Sequence, residues 1–314
     1  YPPYASHSQV HRYFEEYVDH FGFRDKITFN TTVDHVAPDP DGGWLVTTSA
    51  TGGTGEPRTA HYDAVLVANG HHWDPQWPDP AYPGDFAGEQ IHAHDYRDAS
   101  ILANKDVVVV GAGNSAMDIS VEASYTARSA TISIRRGQWV MKKLIAGIPL
   151  DQITVPEWLP WAATRMKLRI GATISGSLKN YGLPTPPHAP GESHPVQSQT
   201  IRDRLAAGKI TVKPGIAHLE SDRVVFTDGT STPADLIVWA TGYKVTFPFF
   251  DEDFLAAKDN NLPLWHRAVH PDHDGLFFIG LLQPVGAVMP LAESQSKLEH
   301  AGEAAGCDRE AEPR

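Results

Sequence analysis

The sequence predicts an α/β fold in which parallel strands alternate with helices, and three observations carry that expectation. A β-branched run, Asp106-Val-Val-Val-Val110, passes without a spacer into Gly111-Ala112-Gly113-Asn114-Ser115-Ala116 and then into a helical stretch. Buried strand, glycine turn and helix, in that order, describe a parallel strand entering its crossover helix. The octet Asp63-Ala-Val-Leu-Val-Ala68-Asn69-Gly70 returns 172 positions later as Asp235-Leu-Ile-Val-Trp-Ala240-Thr241-Gly242. The repetition reads as an internal duplication, the alternative being two unrelated buried strands that each end in a glycine turn. Composition agrees: 314 residues that are 41% hydrophobic and 20% charged suffice for a large core and for two domains.

The elements follow in order. From Ser8, the apolar positions Val10, Tyr13, Phe14, Tyr17, Val18 and Phe21 fall at helical spacing, and Gly22 stands where a C-terminal cap belongs. Ile27, Phe29, Thr31 and Val33 then alternate with polar residues, and Gly42-Gly43 turns the chain into Trp44-Leu45-Val46-Thr47-Thr48, as in a β-meander. The two octets are strands that end in small residues, so at Gly70 and at Thr241-Gly242 the backbone is open to close approach by a flat ligand.

The segment around Gly111 carries the chemistry. Gly111 makes the tight turn, Gly113 lacks the Cβ that would obstruct a pyrophosphate, and Ala116 is small enough for close helix packing. The helix start, with Asn114, Ser115 and Asp118, then presents free N–H groups to an anion. This is the Rossmann arrangement for a dinucleotide. The next strand, Thr131-Ile-Ser-Ile134, ends in Arg135-Arg136 where an NAD site offers an acidic residue to the ribose 2′-hydroxyl, so the expected ligand is NADP. Two solvated surface arginines are the alternative. Because Gly111 precedes Asp235 by 124 residues, the corresponding loop of the first unit is expected about sixty residues before Tyr1. The chain is therefore read as one complete dinucleotide unit and the later part of another.

Several classes are excluded. The net charge of −12, with no run of Lys or Arg beyond two residues, argues against a nucleic-acid partner. The longest apolar stretch, residues 276–291, carries a Gln, two Pro and two Gly and is shorter than the roughly 20 residues a membrane helix needs. No membrane partner is expected, and no leader-like segment opens the chain, so the location is read as cytoplasmic. A single cysteine, Cys307, rules out an internal disulfide and a CxxC redox pair. Sixteen histidines show no HExxH spacing, so no metal site is expected.

Between the two units stand Phe86, Gly88, His92 and Tyr96 in the spacing FxGxxxHxxxY. Here the sequence closely resembles the flavin-containing monooxygenases. Matches in the same order extend over nearly all of residues 1 to about 296: Tyr1-Pro2 with the following helix, Phe29-Asn-Thr31-Thr-Val33, the Ala240-Thr241-Gly242-Tyr243 segment, and residues 276–293 with Gln283. The resemblance implies two Rossmann-like domains, one for FAD and one for NADP, the NADP domain inserted into the FAD domain, with the first FAD-binding βαβ unit missing. On that basis residues 1–98 are the later part of the FAD domain, 99–242 the NADP domain, 243–298 the closing FAD segment, and 299–314 a disordered tail. Val33, Gly70 and Gln283 fall on the flavin side. His92 reads as a linker residue rather than a catalyst.

The same resemblance implies a function. NADPH reduces FAD, oxygen adds at the flavin C4a position, and the resulting hydroperoxyflavin gives one oxygen atom to an amine nitrogen or a sulfide. O2 and a small-molecule substrate are the partners, and a homodimer stays open. Related Baeyer–Villiger enzymes carry Trp at the position of Tyr96, so Tyr96-Arg97 favours heteroatom oxygenation. Two alternatives remain: a Baeyer–Villiger enzyme, and an inert NADP-binding fragment without FAD. Trp158, Pro160, Trp161 and the proline-rich residues 183–195 read as packing and surface loop rather than a substrate channel.

Overall fold

The computed structural model describes residues 1–314 except 54, 151, 154, 157, 256, 258, 259, 282–287 and 306–314, and the side chains of 298–305. The chain forms two compact units, one made of Tyr1–Asn69, Thr246–Leu281 and Pro290–Arg314, the other of Gly70–Val245 with Leu282–Met289.

A five-stranded parallel sheet organises the second unit, in the order Thr211–Lys213, Ser129–Ser133, Asp106–Val110, Leu236–Trp239, Glu89–His92. Alternation along a strand sends neighbouring side chains to opposite faces. Val107, Val109, Leu236 and Val238 accordingly join Met117, Ile119, Ile201 and Leu205 on the side covered by helices Asn114–Thr126 and Ile201–Ala206. Val108, Val110, Ile237 and Trp239 pack on the other side against Ile216, Val224 and Phe226. Those last residues belong to a three-stranded antiparallel meander, Ile216–Glu220, Arg223–Phe226 and Ser231–Pro233. One face of the sheet is thus covered by helices and the other by a small sheet.

In the first unit the helix His7–Phe21 begins with a capping box in which Ser6 and Gln9 bond reciprocally. The meander expected from Gly42-Gly43 is present as Thr31–Pro38, Trp44–Ala50 and Arg58–Tyr62. Val65–Val67 pairs in parallel with Leu276–Phe278. Trp44, 2% exposed, anchors this unit: its indole N–H donates to the Asp274 carbonyl at 3.1 Å and its ring meets Phe250 and Phe254 edge-on. The duplication is therefore wider than the two octets, since a three-stranded meander precedes each repeated strand.

Two expected boundaries move. The main stretch of the second unit runs from Gly70 to Val245, where 99–242 was expected. The reason is hydrogen bonding: Glu89–His92 is an edge strand of the parallel sheet, and Asp74–Pro75 pairs with Tyr243–Lys244. The stretch from 299, expected to be disordered, continues the helix Met289–Ala305 as far as Ala305; Cys307 lies outside the described residues.

Candidate functional site

The glycine turn forms at the C-terminal end of the Asp106–Val110 strand. Gly111 has φ +143°, and a Cβ there would lie 2.3 Å from the Ala240 carbonyl oxygen, so only glycine fits. Its N–H donates to the Ser133 carbonyl at 3.1 Å, and Ala240 N–H to that of Val110 at 2.8 Å. The turn is thereby tied to both neighbouring strands. Ala116 is fully buried, with its Cβ 3.4 Å from where a Gly111 Cβ would stand, the close helix packing expected of the third fingerprint position. A Cβ on Gly113 meets nothing within 4 Å. Gly113 is the N-cap of the helix Asn114–Thr126, whose first turn holds no carboxylate and whose cap makes no side-chain bond. The first N–H groups of a helix have no partner inside it, so this end is electrostatically prepared for an anion.

Around the turn the expected residues divide. Ser115 is exposed, while the Asn114 carbonyl oxygen accepts the Gln197 N–H at 2.9 Å, which fastens the helix start to the short strand Val196–Gln197. Asp118 is exposed along much of its surface, yet crowding at its carboxyl raises its pKa, Lys143 opposing and Glu122 adding to the rise. Arg135 and Arg136 leave the adjacent strand end exposed, and neither makes an ion pair among the described residues. Thr241 donates its hydroxyl to the Gln76 carbonyl at 2.5 Å, and the Gly242 carbonyl accepts the Gln76 N–H at 3.0 Å. Gly70 and Gly242 adopt left-handed backbone, at φ +73° and +92°, with open space at the Cβ position. Val33 lies at a bulge in the first meander with 42% of its surface exposed. Gln283 lies outside the described residues.

The spaced motif fastens the edge strand. A Cβ on Gly88 would come within 2.6 Å of the Phe86 ring and 2.7 Å of the Asp235 carbonyl, because that ring folds back over the backbone. His92 is fully buried; its Nδ1 accepts the His94 N–H at 3.0 Å, while Nε2 has no hydrogen-bond partner. Desolvation lowers its pKa, partly offset by the Gly242 backbone, which lies near enough to favour the cation without bonding geometry to Nε2. Tyr243 sits among His72, His92 and His94, with ring centroids 4.9, 5.2 and 5.9 Å away. Tyr96 donates its hydroxyl to Glu122 on the nucleotide helix. Desolvation, first, and that carboxylate push the phenol pKa up.

Sequence reasoning missed the role of Asp235. Its carboxylate accepts the Asp106 N–H at 2.8 Å and pairs with Arg128 at 2.5 Å, while Arg128 also reaches Asp106 at 2.6 Å and holds that carboxyl below its usual range. The aspartate that opens the second octet therefore fixes the strand that ends in the glycine turn. Its recurrence at Asp63 and Asp235 was the available signal.

Parallel strands, a glycine turn, an open helix N-terminus and adjacent arginines define a dinucleotide-binding protein. The flavin-binding monooxygenase-like family model matches residues 1–301, and the chain belongs to that family, the flavin-containing monooxygenases. It is 32% identical over 318 residues to flavin-containing monooxygenase 5 of Oryctolagus cuniculus, covering 95% of this chain and 58% of that protein. To the N-oxide-forming dimethylaniline monooxygenase 2 of Mus musculus it is 34% identical over 315 residues, with the same coverage. A cyclohexanone monooxygenase from Rhodococcus sp. Phi1, solved with NADP+ bound, superposes with TM-score 0.68 at 16% identity over 96% of this chain and 70% of its own. That likeness shows the fold. The chain spans about 58% of the length of the two mammalian relatives.

The family's cofactors are FAD and NADPH. The second unit fits NADP at three points: space beside Gly113, an uncapped helix start, and exposed arginines at the next strand end. Of the described residues expected on the flavin side, Val33 lies in the first unit, whereas Gly70 is the first residue of the second. Among the described residues no helix is long and apolar enough to cross a membrane.

Proposed function

We propose that this chain is the nucleotide-binding portion of a flavin- and NADPH-dependent monooxygenase that passes one oxygen atom from O2 to an amine nitrogen or a sulfide. The observation that carries the reading is the open space at Gly113, at the N-terminus of a helix without a first-turn carboxylate, next to the strand that delivers Arg135. Gly111 and Gly113 admit the pyrophosphate, N–H groups from Asn114 to Ala116 face it, and Arg135, with Arg136, meets the ribose 2′-phosphate. Beyond the Leu236–Trp239 strand, Gly242 leaves open space on its Cβ side for a flat ring. FAD, when bound and reduced by NADPH, supplies the activation of O2. The work of the side chains is then to orient nicotinamide and keep water out, and His92, neutral and enclosed, suits a dry wall better than proton transfer.

The mouse relative's name gives N-oxide formation as its reaction, and Tyr96 in place of Trp supports the same preference here. The test is product analysis with FAD and NADPH supplied. N-oxide from N,N-dimethylaniline, without ester from cyclohexanone, is the expected result; ester alone points to a Baeyer–Villiger enzyme. A second reading, an NADP-binding module without flavin chemistry, draws on the contrast between the units. The second has a core on both faces of its sheet, whereas the helix His7–Phe21 of the first has no buried residue. NADP+ binding with neither flavin absorbance nor product would favour that reading.

A further inference from the structure

The second unit holds a half-open pocket of about 660 Å³, walled by residues 138–140, the C-terminal half of the helix Trp161–Ser175 and the proline-rich residues 183–190. None of its lining residues belongs to the glycine turn or to the Arg135-Arg136 pair. The walls are fixed. Trp139 donates its indole N–H to the His188 carbonyl at 2.8 Å, and a Cβ on Gly137 would lie 2.0 Å from the Pro184 carbonyl oxygen, so the segment before the Val140–Met141 strand and the proline-rich loop are in backbone contact. Val140–Met141 pairs with Val196–Gln197 behind them.

The lining has a distinct chemistry. Trp139, Leu183, Pro184 and Pro186 offer an apolar surface to a ring, and among the described residues the titratable ones that line the pocket are Arg169 and Lys179. Both are exposed and neither makes an ion pair among the described residues, in a chain whose net charge is −12. Gln138 also lines the pocket, with its amide oxygen turned away from accessible surface.

We propose that this pocket is a second small-molecule site, separate from the nucleotide turn, for an amphipathic carboxylate that carries an aromatic body. The ring lies against Trp139 and the prolines, and the carboxylate meets Arg169 and Lys179 at the rim. N-acetyl-L-tryptophan and its uncharged amide differ only in the carboxylate and probe the two halves of the claim. In calorimetry of the whole chain with NADP+ saturating, the acid is expected to bind at one site per chain and about tenfold more tightly than the amide. In the double variant Arg169→Gln/Lys179→Gln, which alters only exposed side chains, the two probes should bind within twofold of each other. Absence of binding at millimolar acid overturns the proposal. So does equal affinity in the unaltered chain, a preference that survives in the double variant, or displacement of the acid by NADP+.

Discussion

Arg135 is exposed, without an ion pair among the described residues, at the end of the strand beside the glycine turn. Charge-assisted bonds contribute about 1.5–3 kcal/mol, so Arg135→Ala should weaken NADPH roughly 10- to 150-fold and leave NADH nearly unchanged. Equal losses for both nucleotides in a fluorescence titration would remove the assignment, and no loss at all would transfer it to Arg136. His92 leads to a pH dependence. Its pKa is lowered in the folded state, so below the ordinary histidine value of about 6.5 the unfolded chain binds the proton more readily and stability falls on acidification. The contribution is complete above about pH 6.5 and declines beneath it by at most about 1.4 kcal/mol per pH unit. Melting curves from pH 7.5 to 5.5 should show the fall, and His92→Asn should flatten it; an unchanged slope in that variant would assign the effect elsewhere. Gly111, Gly113 and Ala116 were legible because each has a local steric reason. The Asn114 to Gln197 bond and the contact of Gly88 with Asp235 were not, since their partners stand 83 and 147 positions away.

At the scale of elements, the Asp106–Val110 strand and the helix after it were readable from a β-branched run and a glycine turn. The meander of residues 216–233 was not read, although Asp228-Gly229 marks its turn, so the covering of the second sheet face came only from the structure. Helix His7–Phe21 followed its apolar spacing, but spacing does not say whether a face is covered. The packing of the nucleotide helix gives a direct test. Ala116 has no exposed surface and touches the turn, so Ala116→Leu forces the helix away from the strand. Overpacking of this kind costs typically 1–3 kcal/mol, which in a chain of this size lowers Tm by roughly 2–10 °C. NADP+ affinity should fall with it, because the helix N–H groups move with the backbone. Loss of stability with NADP+ binding intact would uncouple helix position from the site.

For the whole molecule, the two units differ in how well they enclose their own apolar surface. Phe14 and Phe21 on the first helix are 50% and 60% exposed, and Leu66 on the Val65–Val67 strand is 50% exposed. Contiguous exposed aromatics promote association, so Phe14→Lys/Phe21→Lys should reduce sedimentation of large species while leaving Tm within about a degree. A large fall in Tm would show that this helix face is packed in solution. A division into two units was visible in the repeated octet, but the compact units divide at Gly70 rather than at residue 99, because the strand Glu89–His92 gives no sign in the sequence of which sheet it joins. The central claim is that the turn at Gly111 to Ala116 holds a dinucleotide, and Gly113→Val tests it most directly. At φ −82° the position accepts a side chain, and a Cβ there meets no protein atom within 4 Å, so the variant should fold, with Tm lowered by no more than about 5 °C for the poorer helix cap, while its methyl groups occupy the space of the pyrophosphate. Calorimetry is expected to give one NADP+ per unaltered chain and a loss of at least tenfold in the variant. Binding by Gly113→Val equal to that of the unaltered chain would contradict the account.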